Sequence, residues 1–134
     1  MRHLILIGLM LTVAAVSSDA QTHQGALISI EKTVHDFGRL KQGTVKEHKF
    51  IVKNTGKAPL KLREPKADCG CTLVDYTKSP IMPGKTGFVS AKMNTRARRP
   101  GAFNKGVTIY SNGGTVVCRI KGTVIEAETK TIRK

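Results

Sequence analysis

Val107-Thr108-Ile109-Tyr110-Ser111-Asn112-Gly113-Gly114-Thr115-Val116-Val117-Cys118-Arg119-Ile120-Lys121 decides the fold class. On one side of the Ser-Asn-Gly-Gly stretch, Val107 and Ile109 flank Thr108; on the other, Val116, Cys118 and Ile120 interleave with Arg119 and Lys121. An apolar period of two marks a half-buried strand, and Asn-Gly supplies the positive φ values of a tight hairpin, so the stretch reads as two antiparallel strands and their turn.

The same period recurs upstream. Ile28 and Ile30 alternate with Ser29 and Glu31, Phe50 and Val52 with Lys49 and Lys53, Leu60 and Leu62 with Lys61 and Arg63, and Val89, Ala91 and Met93 with Ser90 and Lys92. Turn residues fall between these runs at Asn54-Thr55-Gly56, Ser79-Pro80, Pro83-Gly84 and Pro100-Gly101. Short strands punctuated about every ten residues predict an all-β fold, an immunoglobulin-like antiparallel β-sandwich of about seven strands, with a barrel as the alternative. Aromatics are sparse, with four Phe, two Tyr and no Trp. Phe37, Phe50 and Phe103 are the expected anchors of the core, filled out by aliphatic side chains from both inner faces.

The beginning of the chain predicts export. Arg2 and His3 precede an apolar run from Leu4 to Val16, and Ser17-Ser18-Asp19-Ala20 offers small residues for cleavage before Gln21. This is the pattern of a cleaved secretory signal peptide over 1–20. The run is too short for a membrane span, which takes about 20 apolar residues, and no other stretch approaches that length, so no transmembrane segment is expected. The lipid-modified type of leader needs a cysteine at the cut, and none is there. Residues 21–125 are then the sandwich and 126–134 a flexible C-terminal tail. The expected localisation is periplasmic or extracellular.

Cleavage removes one Arg and one Asp, so the formal charge of +14 stays with the mature chain. Such an excess favours an acidic envelope protein or an anionic envelope polymer as partner. Nowhere do aromatic residues alternate with basic ones as in a base-stacking platform, so no specific nucleic-acid binding is expected. Arg96, Arg98 and Arg99, before Pro100-Gly101, form the candidate anion-binding patch, because arginine forks take carboxylate or phosphate bidentately.

Asp68-Cys69-Gly70-Cys71-Thr72 holds two of the three cysteines one residue apart. In an oxidising compartment an odd count leaves either one bridge and a spare thiol or a reduced pair kept for chemistry. Cys118 alternates with Val116 and Ile120 and reads as packing. Gly70 gives the backbone freedom to juxtapose the sulfurs of Cys69 and Cys71, the candidate metal or redox pair. A bridge between them, a soft-metal site for which two thiolates suit copper(I), and a structural turn all remain open. No cofactor is otherwise expected.

From His35-Asp36-Phe37-Gly38, through Phe50, Asn54-Thr55-Gly56 and Pro59-Leu60, to Asp68-Cys69-Gly70-Cys71-Thr72, Pro83-Gly84 and Gly122, the chain resembles the bacterial secreted family named domain of unknown function 1573. The resemblance covers about residues 28–124. It implies an immunoglobulin-like sandwich related in architecture to the Hydin and major-sperm-protein domains, which mostly serve as interaction modules, and it implies no reaction. Cys118 departs from the family pattern, where that position is commonly aliphatic, which argues against one site made of all three cysteines.

Asp36-Phe37-Gly38 matches the metal-binding tripeptide of protein kinases, but no glycine-rich loop, strand lysine or catalytic loop accompanies it, so it reads as a strand-end turn with a buried Phe37. The serines and four histidines show no triad spacing. His48 shares a strand face with Phe50 and reads as a packed histidine; His35, beside Asp36, is the one retained as a ligand or proton carrier. The sequence therefore predicts a non-enzymatic extracytoplasmic binding or assembly module, with a thiol-redox or copper(I)-handling protein using Cys69 and Cys71 as the alternative. Intact-mass measurement on protein from its native envelope is expected to place the N-terminus at Gln21; recovery of chains that retain Leu4 to Val16 would refute the leader.

Overall fold

The computed structural model describes residues 25–128. The leader assigned to 1–20 lies outside the described residues, as does the tail beyond 128. Among the described residues there are eight strands: β1 (Ile28–Ser29), β2 (Val34–Lys41), β3 (Val45–Asn54), β4 (Lys66–Ala67), β5 (Thr72–Tyr76), β6 (Thr86–Asn94), β7 (Gly101–Ser111) and β8 (Gly114–Ile125). They form two four-stranded sheets, ordered β1-β3-β6-β5 and β2-β8-β7-β4. Among the described residues no helix is long and apolar enough to cross a membrane.

The alternation read from the sequence is what holds the two layers together. Phe50, Val52, Val89, Ala91 and Met93 of the first sheet and Phe103, Val107, Ile109, Cys118, Ile120 and Val124 of the second are all buried and form one cluster. Lys49, Lys53, Lys92, Arg119 and Lys121, their sequence neighbours, are exposed. Each sheet thus has a single apolar face, and facing the two together removes both from water.

Several expectations need correction in detail. The sandwich has eight strands because two of them, β1 and β4, are only two residues long and carry no readable period. Pairing is antiparallel except that β2 lies parallel to β8, Val34 beside Arg119 and Lys41 beside Ile125. Leu60 and Leu62 are buried but belong to no extended strand; Leu60 bridges to Ile81 and Leu62 to Ser111. Asp36-Phe37-Gly38 does not end a strand. It makes a bulge inside β2, where the register shifts between Asp36 and Arg39, Gly38 takes φ +69°, and the Asp36 carboxylate accepts the Gly38 N–H at 2.8 Å. Phe37 is accordingly half-buried and packs against the core rather than within it.

The 111–114 hairpin falls where expected but by another route. Ser111 pairs with Gly114, leaving Asn112-Gly113 as the loop. The positive φ is at Gly114 (+122°), and neither loop residue has one. Gly113 is needed for space: a Cβ there would lie 2.7 Å from the Leu60 side chain and 2.8 Å from the Ala26 backbone. Asn112 acts as a tie, accepting from Lys61 N–H at 2.8 Å and donating to Pro59 C=O at 3.1 Å.

At this same end of the sandwich Asn54 is fully buried. Its Oδ1 accepts from Gly56 N–H at 2.9 Å and Leu27 N–H at 3.4 Å, and its Nδ2 donates to Ala58 C=O at 2.7 Å and Ile81 C=O at 2.8 Å. One amide thereby ties together backbone groups from three separate stretches of chain, and of these the Ile81 carbonyl also accepts the Leu60 N–H at 2.8 Å. Asn54→Ala is expected to destabilise the fold by about 3 kcal/mol, read from the urea midpoint, whereas Asn112→Ala, whose partners can turn to water, costs about 1 kcal/mol. Equal losses would show that the buried amide has no special place.

Candidate functional site

The opposite end of the sandwich gathers the residues that carry chemistry. The chain crosses from the second sheet to the first between β4 and β5, and both ends of this crossing are anchored. Asp68 donates its N–H to Gly106 C=O at 3.0 Å and accepts the Gly106 N–H on its carboxylate at 2.7 Å. Gly106 has to be small, since a Cβ would stand 2.8 Å from that carboxylate oxygen. On the far side Cys71 C=O accepts from Asn94 N–H at 3.0 Å, and Thr72 N–H closes the turn on Cys69 C=O at 3.2 Å.

Cys69 and Cys71 are joined by a disulfide, with Cα atoms 5.3 Å apart, and both are half-buried. Gly70 between them does not adopt a positive φ, so the special backbone freedom expected of it is not what brings the sulfurs together; the two anchors are. The sulfurs border different hollows. Cys69 lines a groove of about 620 Å³ between β4 and β5, together with Lys66, Val74, Tyr76 and Lys78. Cys71 lines a hollow of about 340 Å³ with Asn94, Arg96 and Arg98. Gly70 borders both.

The arginine stretch read separately in the sequence is thus placed beside the cysteine pair, but its three members do not form one fork. Arg98 turns inward: its guanidinium carbon lies 5.5 Å from the centre of the Phe103 ring, and Nη1 is 3.8 Å from Cys71 Sγ. Its backbone carbonyl accepts from Gln42 Nε2 at 2.6 Å, which ties the loop to the β2–β3 turn. Its Nε is buried without a hydrogen-bond partner among the described residues. Arg96 stays exposed at the rim of the Cys71 hollow, and Arg99 is exposed and lies outside that lining. Sequence reading missed Gln42 and the inward turn of Arg98, because a loop has no period to betray which side chain faces in.

Cys118 is fully buried opposite Val107, and burial pushes its thiol up to about 11. It differs from the disulfide in kind, a thiol among aliphatic side chains. Among the described residues no group of three or more His, Cys, Asp or Glu is placed to hold a metal ion. Sulfurs bonded to each other offer no thiolate, so a copper(I) site at Cys69 and Cys71 would first require reduction.

His35 does not pair with Asp36, whose carboxylate is engaged with Gly38. It stacks on His48 across the two sheets, ring centres 3.7 Å apart and planes within 4°. Phe37 meets His35 edge-on at 4.7 Å and Phe50 meets His48 edge-on at 4.8 Å. The signal was present in the repeated His-x-Phe spacing of 35–37 and 48–50, which sets matching pairs on two strands that face each other.

Among curated proteins none matches the sequence. Residues 28–124 match the family described as "Protein of unknown function (DUF1573)". The chain belongs to that family. Its structure is similar to a protein of unknown function from Porphyromonas gingivalis W83, with 16% identity and a TM-score of 0.67 over 78% of this chain and 50% of that one. It is similar as well to the ASH/PapD-like domain 7 of human CEP192, with 15% identity and a TM-score of 0.57 over 95% of this chain and 100% of that domain. A family 123 glycoside hydrolase from Clostridium perfringens follows at 11% identity and a TM-score of 0.53, over 77% of this chain and 27% of the enzyme. The chain spans half the length of the Porphyromonas protein. At these identities the likeness is one of fold, an immunoglobulin-like, PapD-like sandwich.

Burial and, secondly, the charge of His35 hold the His48 pKa below its ordinary value. The neutral form is therefore favoured in the folded state. The unfolded chain binds the extra proton first, so this contribution to stability is whole above about pH 6.5 and is lost as pH falls through that value toward the folded pKa. The thermal midpoint is expected to drop between pH 7.5 and pH 5, and the drop to shrink in His48→Phe. An unchanged slope in that variant would remove the stack from the account.

Proposed function

We propose that the protein is an exported, non-enzymatic binding module of the cell envelope that takes an extended acidic segment of an envelope protein along the free edge of β5. The observation that carries this reading is the groove between β4 and β5. β5 is an edge strand, paired on one side only with β6. Cys71 C=O and Thr77 N–H point at β6, so by the alternation of an antiparallel ladder the amides of Thr72, Val74 and Tyr76 point away from it. Thr72 N–H is taken by the turn and Tyr76 N–H by the Asp75 carboxylate at 2.9 Å, which leaves the Val74 amide for an added strand.

Val74 and Tyr76 are half-buried and line the groove on one face, so a docked strand would place alternate side chains against them while its backbone pairs with the edge. Lys66 and Lys78 at the groove, within a chain of net charge +14, suit an acidic partner. The other long edge, β2, is less suited, because the Asp36–Arg39 bulge interrupts its run of amides. The leader read over 1–20 supports the location. An anionic envelope polymer is a second source of the same charge, and it needs no strand edge. The redox alternative has one observation in its favour, the guanidinium of Arg98 against a disulfide sulfur.

A photo-crosslinking amino acid at Tyr76, expressed in the native envelope, is expected to give discrete protein adducts, and the same probe at exposed Ile51 none. Val74→Pro removes the outward amide without touching the ladder to β6 and is expected to abolish the adducts. Adducts that persist in Val74→Pro, or equal capture at Ile51, would overturn strand addition.

A further inference from the structure

The two sulfurs of the bridge are not equivalent, and their difference has a chemical consequence. Arg98 is a half-buried cation with no carboxylate within ion-pair distance among the described residues. Its Nε lacks an acceptor, and its Nη1 faces Cys71 Sγ. A disulfide sulfur is neutral and a weak acceptor; a thiolate in its place would supply the anion that this guanidinium lacks. The other charged group at that hollow, Arg96, has the same sign. Asp68, the one carboxylate next to the pair in sequence, is committed to Gly106 N–H. On the Cys69 side the groove carries Glu64, Lys66 and Lys78, and Cys69 Sγ has only the Thr72 hydroxyl at 3.8 Å.

We infer that the Cys69–Cys71 bridge is a polarised disulfide that oxidises thiols entering the β4–β5 groove, with Cys69 the sulfur attacked and Cys71 the thiolate released to Arg98. The inference rests on the redox alternative rather than on strand binding. An incoming thiolate attacks Cys69 Sγ, forming a mixed disulfide; the Sγ–Sγ bond breaks, and its electron pair leaves on Cys71 Sγ. The second thiolate of a dithiol substrate then attacks its own sulfur in the mixed disulfide and releases Cys69, which takes up a proton. The substrate dithiol is oxidised by two electrons and the cysteine pair reduced by two, in one stoichiometric turnover. The assignment of roles follows from access and charge together: Cys69 borders the larger groove, and the better leaving group is the sulfur whose anion is stabilised. The substrate class is a polypeptide segment that carries two cysteines, the second supplying the thiolate that resolves the mixed disulfide.

The test has two arms on the full mature protein. Oxidised protein is mixed with excess glutathione, quenched with acid and peptide-mapped; the glutathione adduct is expected on Cys69. In reduced protein, iodoacetamide at pH 6 is expected to label Cys71 at least about tenfold faster than Cys69, since a cation at this distance lowers a pKa by about one unit or more. Arg98→Gln should erase that ratio, Arg98→Lys retain part of it, and Arg99→Gln, with the same change in net charge, leave it intact. Cys118, buried in the core, reports folding in each variant by labelling only after denaturant. Adducts on Cys71, equal labelling of the pair in the wild type, or a ratio unchanged in Arg98→Gln would overturn the polarity. No adduct on either sulfur would overturn the redox use of the bridge itself while leaving the crosslinking result at Tyr76 unaffected.

Discussion

Each sheet of this protein has one apolar face, and everything else in the structure follows from laying those faces together. Phe50 and Phe103, one from each sheet, are the large members of a core that is otherwise aliphatic. Such a sandwich closes its flanks with side chains but leaves two ends where strands turn and backbone groups lose their ladder partners. The two ends are closed differently. At one, the buried amide of Asn54 satisfies several stretches of chain at once. At the other, the Thr95 hydroxyl does comparable work, donating toward Thr44 C=O at 2.8 Å and accepting from Thr44 N–H at 2.9 Å.

The second end carries the candidate site. Thr95 fixes the start of the loop that carries Arg96, Arg98 and Arg99; Gln42, from the turn beside Thr44, holds the Arg98 carbonyl; and the β4–β5 crossing brings the disulfide to the same place. A half-buried cation against an aromatic ring and a neutral sulfur, with no carboxylate within ion-pair distance among the described residues, is an arrangement that a purely structural staple does not require. The groove on the other side of the disulfide belongs to the edge of β5. Strand edge and bridge are therefore adjacent, and a segment docked on β5 would run past Cys69.

Most of the fold was legible because burial in a sandwich imposes a period of two, and the period survives in β3, β6, β7 and β8, where a polar residue alternates with an apolar one. The turns were legible for the same reason: Gly, Pro and Asn sit where strands must reverse. The parallel partnership of β2 with β8 was not, because the choice of a distant neighbour leaves no local trace, and β2 is further disguised by the bulge at Gly38. Leu60 and Leu62 show the limit from the other direction, alternating like a strand and buried like one, yet making only isolated bridges, Leu60 to Ile81 outside the strands and Leu62 to Ser111 of β7. In the site, the cysteine pair announced itself by spacing and Cys118 by its neighbours. The inward turn of Arg98 was hidden because an arginine in a loop carries no pattern, while the His35–His48 stack left a trace in the repeated His-x-Phe spacing that only the facing of the two strands makes readable.

The parallel pairing of β2 with β8 has a consequence for the order in which the molecule can form. β8 is the inner strand that links β2 to β7, and among the described residues it is the last strand in sequence order. Until it arrives, β2 has no hydrogen-bonding neighbour and its sheet is in two pieces. In a chain that emerges N-terminus first, the second sheet can therefore be completed only after β8 has emerged. Closure is then abrupt, since one strand completes both sides of the sheet together. The topology thus makes β8 the strand on which the second sheet waits.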